Sequence, residues 1–169
     1  MLQKSVPATY TKPTVSLVNN GGSESGNVEA GSTIIPKLRS SFTKNDAGSL
    51  ISIGIKQGNV DKATGTTTPL DYNGSNIIIG DETITFTAFA TYNDAPVKNN
   101  NLGEESKENW FAGGTITSSA YSIVGKRKAF YGTGTGSLPT ITSDIVRNLS
   151  GVKLAPANGT SFNVNVAVG

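Results

Sequence analysis

The chain has 169 residues and a net charge of +2, and it contains neither cysteine nor histidine. The length suits one domain, or one domain and part of another. The small charge argues against a nucleic-acid or membrane partner attracted by field alone. Without cysteine and histidine the chain forms no disulfide and cannot assemble a Ser–His or Cys–His nucleophile.

The balance of residues predicts an all-β protein. Charged residues make up 15% of the chain, below the usual quarter. Alternating segments separated by turn residues are typical of strands and not of disorder. No segment has the length and apolarity of a signal core or a membrane span, so we expect a soluble protein made in the cytoplasm.

The first half of the chain begins with residues 1–12, a polar stretch that we expect to be a linker or an arm that orders against a partner. A first strand is predicted over 14–18. A second is predicted over 33–42, where Pro36 indicates an edge strand or a bulge. A third is predicted over 50–56, with three isoleucines on one face: Ile51, Ile53 and Ile55. Residues 58–76, rich in Thr, Gly and Asp, are predicted to form a long loop.

The stretch Glu82–Tyr92 is the clearest strand in the sequence. Its apolar residues alternate with threonines, and only Phe89 interrupts the polar face. This period of two, over β-branched and aromatic residues, predicts a central strand with one buried face. The predicted buried residues are Ile84, Phe86, Ala88, Ala90 and Tyr92.

The second half contains a predicted loop over 93–109, which we expect the Trp110–Phe111 pair to pin to the sandwich. Another strand is predicted over 115–124. Short strands with turns between them predict an antiparallel β-sandwich over 13–124. It is immunoglobulin-like in architecture only, because the Cys pair and the mid-strand Trp of immunoglobulin domains are missing.

The character of the sequence changes at Gly125. A basic and aromatic block occupies 125–132, a short helix is predicted from Asp144 to Leu149, and a strand is predicted over 162–168. These elements are too few to close a core, so 125–169 is predicted to be an incomplete second β-rich domain or an oligomerisation segment. Seven residues form the predicted interface: Lys126, Arg127, Phe130, Tyr131, Phe162, Val164 and Val166.

Three motifs suggest chemistry, and each has a simpler reading. Asp71–Glu82 has part of the spacing of a calcium loop, but no helices are predicted beside it, and a turn explains it better. Three acids in one loop, Glu104, Glu105 and Glu108, could suggest a glycosidase pair, which needs carboxylates held on a rigid frame. The block after Gly125 mixes basic and aromatic residues as nucleic-acid binders do, but it is short. We assign no catalytic, cofactor or metal residue and expect no enzyme.

Three stretches, taken in order, carry a family resemblance. They are Val-Glu-Ala-Gly-Ser-Thr at 28–33, Thr-Ala-Phe-Ala-Thr-Tyr at 87–92 with Asn-Leu-Gly at 101–103, and Gly-Lys-Arg-Lys-Ala-Phe-Tyr-Gly at 125–132 followed by 144–149. This order resembles structural proteins of tailed bacteriophages and prophages of gut bacteria, crAss-like phages among them. The resemblance covers residues 9–169. It implies an immunoglobulin-like domain followed by a second β-rich domain that continues into more sequence.

The resemblance also implies a role. Such a protein is a virion component in a fibre, an appendage or a capsid decoration, assembled in the host cytoplasm, and it carries over no catalytic residue. Its expected partners are other virion proteins, further copies of itself, with a trimer as the expected form, and a glycan or protein of the host surface. The alternative is a bacterial surface adhesin or carbohydrate-binding module, whose binding aromatics would be Tyr72, Tyr92, Trp110 and Tyr131 if exposed.

Overall fold

A computed structural model describes the backbone of residues 3–131 and 151–154 and the side chains of residues 3–127. This part of the chain is all-β: it forms fifteen strands and no helix. The strands are β1 (Thr14–Asn19), β2 (Gly26–Glu29), β3 (Thr33–Ile34), β4 (Lys37–Thr43), β5 (Leu50–Gln57), β6 (Val60–Gly65), β7 (Leu70–Asn73), β8 (Ile77–Ile78), β9 (Thr83–Tyr92), β10 (Lys98–Asn99), β11 (Glu105–Ser106), β12 (Gly114–Thr117), β13 (Tyr121–Lys126), β14 (Lys128–Tyr131) and β15 (Gly151–Leu154).

Two sheets form a β-sandwich, as the sequence predicts. The first has three strands in the order β1-β4-β7, and the second has the order β2-β13-β9-β5-β6, with β12 also paired to β9. Neighbours in both sheets are antiparallel except β2 and β13, which run parallel. Three further pairs are short: β3 with β8, β10 with β11, and β14 with β15.

β9 is the central strand, as predicted. It pairs with β5, β12 and β13. Every residue of its predicted apolar face is buried: Ile84, Phe86, Ala88, Ala90 and Tyr92. The face contributes to two apolar clusters between the sheets, one around Phe86 and one around Tyr92. All members of both clusters lie between residues 15 and 123, so the sandwich has its own core.

Two details of the early strands were predicted wrongly. The single strand predicted over 33–42, with an edge position or a bulge at Pro36, is two strands: Pro36 separates β3, in a two-stranded sheet, from β4, in the middle of the β1-β4-β7 sheet. Proline cannot donate a ladder hydrogen bond, so the break falls at that residue. Ile51 does not share the buried face of Ile53, because the register shifts between Leu50 and Ser52 and leaves Ile51 47% exposed.

The predicted loop over 58–76 is also wrong, because β6 and β7 lie within it. Both strands are largely polar, with little of the apolar alternation on which strand prediction depends. The loop over 93–109 contains the small β10–β11 pair. The strand predicted over 115–124 is two strands, β12 and β13, separated where the hydroxyl of Ser118 accepts a hydrogen bond from Ala88 N at 2.9 Å.

The immunoglobulin-like identity of the sandwich remains a prediction. β13 extends to Lys126, across the predicted boundary after Val124. The helix predicted at 144–149 and the strand predicted at 162–168 lie outside the described residues.

The N-terminal arm packs on its own chain. Lys98 N donates a hydrogen bond to the Tyr10 hydroxyl at 2.7 Å, and Val6 N donates to Asn101 Oδ1 at 2.6 Å. The Tyr10 ring meets the Phe111 ring edge to face at 6.1 Å. Asp46 accepts from Thr11 N at 2.7 Å. The arm and the 93–109 segment therefore hold each other at one end of the sandwich.

Candidate protein–protein interface

The predicted interface begins where β13 leaves the sandwich, and Gly125 is the tightest point of that exit. A β-carbon at residue 125 would overlap the carbonyl oxygen of Gly80 and lie 3.2 Å from Cγ1 of Ile79. Only glycine lets the two backbones approach this closely. Gly125 N also donates a hydrogen bond to Glu82 O at 2.8 Å. The chain between β8 and β9 therefore closes one side of the exit.

The parallel strand β2 closes the other side. Gly125 and Lys126 stand opposite Val28 and Glu29, and Ala30 N donates a hydrogen bond to Lys126 O at 2.8 Å. Parallel pairing brings β2 to the end of β13, although the paired residues lie about 100 positions apart in the sequence. The backbone of the exit is thus held from both sides.

Arg127 adds an ion pair to this exit. Its Nε lies 3.0 Å from Oδ2 of Asp81, with side-chain exposures of 75% and 27%. An exposed pair of this kind contributes little to stability. The backbone contacts of Gly125 and Lys126 therefore fix the direction of the chain, and Arg127 remains accessible to another molecule.

The strand β14 follows β13 almost directly. Arg127 is the one residue between the end of β13 and the start of β14. In the β14–β15 pair, Phe130 stands opposite Val152 and Tyr131 opposite Gly151. Of the predicted interface residues, Lys126 and Arg127 are thus placed with their side chains, and Phe130 and Tyr131 by backbone. Three more, Phe162, Val164 and Val166, lie outside the described residues.

The chain enters and leaves the sandwich at opposite ends. The arm leads into β1 at Thr14, and its Tyr10 ring packs against Phe111. The Phe111 ring in turn contacts the Tyr92 ring, with centres 6.4 Å apart, so the arm lies at the Tyr92 end of β9. The exit lies beside Thr83, the partner of Val124. Tyr92 and Thr83 are the two ends of the ten-residue strand β9, which at ~3.3 Å per residue is ~30 Å long.

Two of the three acids in the segment Asp71–Glu82, which has part of the spacing of a calcium loop, form ion pairs with arginines. Asp71 accepts two hydrogen bonds from Arg39, at 2.6 and 2.7 Å, and these bonds hold the pKa of its carboxyl below the usual range. Asp81 pairs with Arg127. Within residues 3–127, no group of three or more acidic side chains comes together as metal ligands.

The three glutamates weighed as a glycosidase pair, Glu104, Glu105 and Glu108, lie in one exposed segment. Glu104 Oε2 accepts from Asn100 Nδ2 at 3.1 Å, and Glu105 belongs to β11. Glu108 N donates to the Ser106 hydroxyl at 3.4 Å. The segment is a hairpin on the surface, which does not provide two carboxylates across a cleft.

The aromatic residues suggested for glycan binding whose side chains are described, Tyr72, Tyr92 and Trp110, do not form an exposed cluster. Tyr92 is buried in the core, and Tyr72 packs against Phe86 with ring centres 6.2 Å apart. Trp110 Nε1 donates to Ala95 O at 2.6 Å, and Phe111 joins the core, which confirms that the pair pins the preceding loop. The side chain of Tyr131 lies outside the described residues.

A groove on the outer face of the larger sheet was not predicted. It has a volume of about 430 Å³ and is lined by Lys56, Gly58, Asn59, Thr87, Phe89, Thr91, Thr115 and Thr117. Phe89, the one apolar residue on the polar side of β9, was visible in the sequence. Its neighbours were not, because β5 and β12 reach it only through sheet pairing.

No protein-family model matches the chain, and the curated proteins contain no significant sequence match to it. Among the described residues, no helix is long and apolar enough to cross a membrane.

Proposed function

We propose that the chain is a structural module of a bacteriophage virion, in a head or tail fibre, an appendage or a capsid decoration. It acts through contacts with other virion proteins and with further copies of itself, and it is assembled in the host cytoplasm. The observation that supports this proposal best is the path of the chain, which enters and leaves the sandwich at opposite ends. Modules of this kind join end to end, so each adds its length to an elongated assembly.

The exit supports the same role. Because one residue separates β13 from β14, a long flexible linker does not interrupt the chain there, and short connections restrict the relative motion of the units that they join. The backbone contacts of Gly125 and Lys126 further limit the direction in which the chain leaves. A stiff succession of modules suits a fibre or an appendage better than it suits a freely tethered binding domain.

The oligomeric state tests the assembly part of the proposal. Light scattering measures the mass of the full chain and of the chain cut after Arg127, which keeps both apolar clusters of the sandwich. We expect a trimer for the full chain and a monomer for the shortened one. A full chain that stays monomeric at 100-fold dilution and at the highest soluble concentration contradicts self-assembly through residues 128–169.

The location of the protein distinguishes the virion role from the alternative, a bacterial surface adhesin. Mass spectrometry of purified phage particles and of the host envelope fraction, from a culture that produces both, detects peptides of the chain in one or the other. We expect them in the particles. Their presence only in the envelope fraction contradicts the virion role and supports the adhesin.

A further inference from the structure

The groove on the outer face of the larger sheet has the form of a small-ligand site. Three strands supply its floor in register: Thr91 stands between Ser52 and Thr115, and Phe89 stands between Gly54 and Thr117. The turn of Gly58 and Asn59 forms one wall. Its volume of about 430 Å³ falls within the range of ~300–1,000 Å³ that ligand pockets occupy.

The ring of Phe89 lies over the neighbouring strand β5 and does not point away from the sheet. A β-carbon at Gly54 would overlap Cε1 and Cζ of the Phe89 ring, so the ring covers the glycine and lies low over β5. Lys56 Nζ lies over the ring, 5.1 Å from its centre, so a ligand that stacks on Phe89 takes the place of this ammonium at the end of its flexible side chain. The ring is half-buried in this position, and it gives the floor of the groove one flat apolar surface.

The remainder of the groove is rich in hydroxyl groups. Four threonines line it, and the hydroxyls of Thr91 and Thr115 lie 2.8 Å apart as a hydrogen-bonded pair. A hydroxyl both donates and accepts, so such a row can exchange hydrogen bonds with the hydroxyls of a ligand. Asn59 adds an amide at the rim.

The charge of the groove selects among ligands. Among the described residues that line it, Lys56 alone is charged, and Asp61 Oδ1 lies 3.4 Å from its ammonium. The acid offsets that charge, so the groove offers no net attraction to an anion. A ligand with many hydroxyls, no charge and an apolar face fits this combination. A neutral pyranose sugar has all three properties, because its mostly equatorial hydroxyls surround the ring while axial C–H bonds cover the ring faces.

From these features we propose that the groove over Phe89 is a binding site for a neutral glycan. A pyranose ring stacks its C–H face on Phe89, while its hydroxyls exchange hydrogen bonds with Thr91, Thr115 and Thr117. The site does not depend on the virion role, since a module of an appendage and a module of a cell-surface protein would use it in the same way. Its test is therefore separate from the tests of mass and location.

The experiment is an amide NMR titration of the full chain with four neutral hexasaccharides, built of glucose, mannose, galactose or xylose. We expect at least one to bind with a dissociation constant of about 0.1–1 mM, between ~5.5 and ~4 kcal/mol of binding free energy. The shifts should centre on Phe89, Thr91 and Thr117. No shift with any of the four sugars at 10 mM, or shifts centred on another surface, overturns the proposal.

Variants assign the binding to the groove. We expect Phe89→Ala to weaken it at least tenfold, as loss of a central aromatic contact commonly does. Thr115→Val keeps the shape and removes one hydroxyl, and we expect it to weaken binding about three- to tenfold. Thr83→Val is the matched control for Thr115→Val. Thr83 lies on the same face of β9 as Phe89 but outside the groove, so this variant should bind the sugar as the unmutated protein does. Unchanged binding by Thr115→Val and Phe89→Ala overturns the site.

Discussion

Replacing Gly125 by alanine tests how tightly the exit of β13 is held. The added β-carbon would overlap Gly80 O, a backbone atom that cannot rotate away. The backbones must separate, at a cost of about 1–3 kcal/mol for overpacking. Their separation also lengthens or breaks two hydrogen bonds, from Gly125 N to Glu82 O and from Ala30 N to Lys126 O. Each of these bonds contributes about 0.5–1.5 kcal/mol to stability. We expect Gly125→Ala to lower the free energy of unfolding by about 2–6 kcal/mol in total.

Urea unfolding of the full chain measures this loss, with Gly114→Ala as the control. Gly114 lies in β12 of the same sheet, has no atom within 4 Å of an added β-carbon, and is not in the left-handed region. The control should be unchanged or up to about 1 kcal/mol more stable, because alanine restricts the unfolded chain. If the free energy of unfolding of Gly125→Ala lies within about 0.5 kcal/mol of that of the unmutated protein, the two backbones are not in close contact. The proposal that these contacts fix the direction of the chain after β13 is then contradicted.

Three further predictions concern stability. Phe86 is fully buried, so Phe86→Ala should lower the unfolding free energy by about 3–5 kcal/mol in the same urea assay; a loss below 1 kcal/mol contradicts the packing. The hydroxyl of Ser40 is buried and has no partner among the described residues, whereas that of Tyr121 donates to a backbone carbonyl at 2.8 Å. Ser40→Ala should therefore leave the free energy of unfolding unchanged or raise it, and Tyr121→Phe should lower it by about 1 kcal/mol. Calorimetry that finds Ser40→Ala the less stable of the two variants contradicts this. Hydrogen bonds from Lys98 and a backbone amide lower the pKa of Asp46. The ionised carboxylate therefore stabilises the fold fully above the ordinary aspartate pKa of about 3.9, and this contribution is lost as the pH falls through the lower pKa of the folded protein. The melting temperatures of Asp46→Asn and the unmutated protein should converge between pH 5 and pH 2, and a constant difference contradicts this.

The interface at the end of β13 stays a prediction, and the sequence showed only part of its geometry. The change of character at Gly125 is visible in the residues, and Arg127 proves to be exposed beside Asp81. The contact that makes Gly125 obligatory was not visible, because Gly80 belongs to a segment about 45 positions earlier in the chain. Likewise, Phe89 stands out as apolar on a polar face, but Gly54 beneath it and Thr117 beside it come from strands whose register the sequence does not specify.

The sequence by itself determined the class of the fold and the faces of its best strand. The alternation of β9 is a local property, since successive side chains of a strand point to opposite sides, and it identified all five of its buried residues. Only the tertiary structure decided which strands become neighbours. The pairing of the polar strand β7 with β4 and the parallel pair of β2 with β13 depend on contacts between distant segments. Such contacts are set by the closing of loops and by the opposing sheet, and periodicity within one segment carries no information about them.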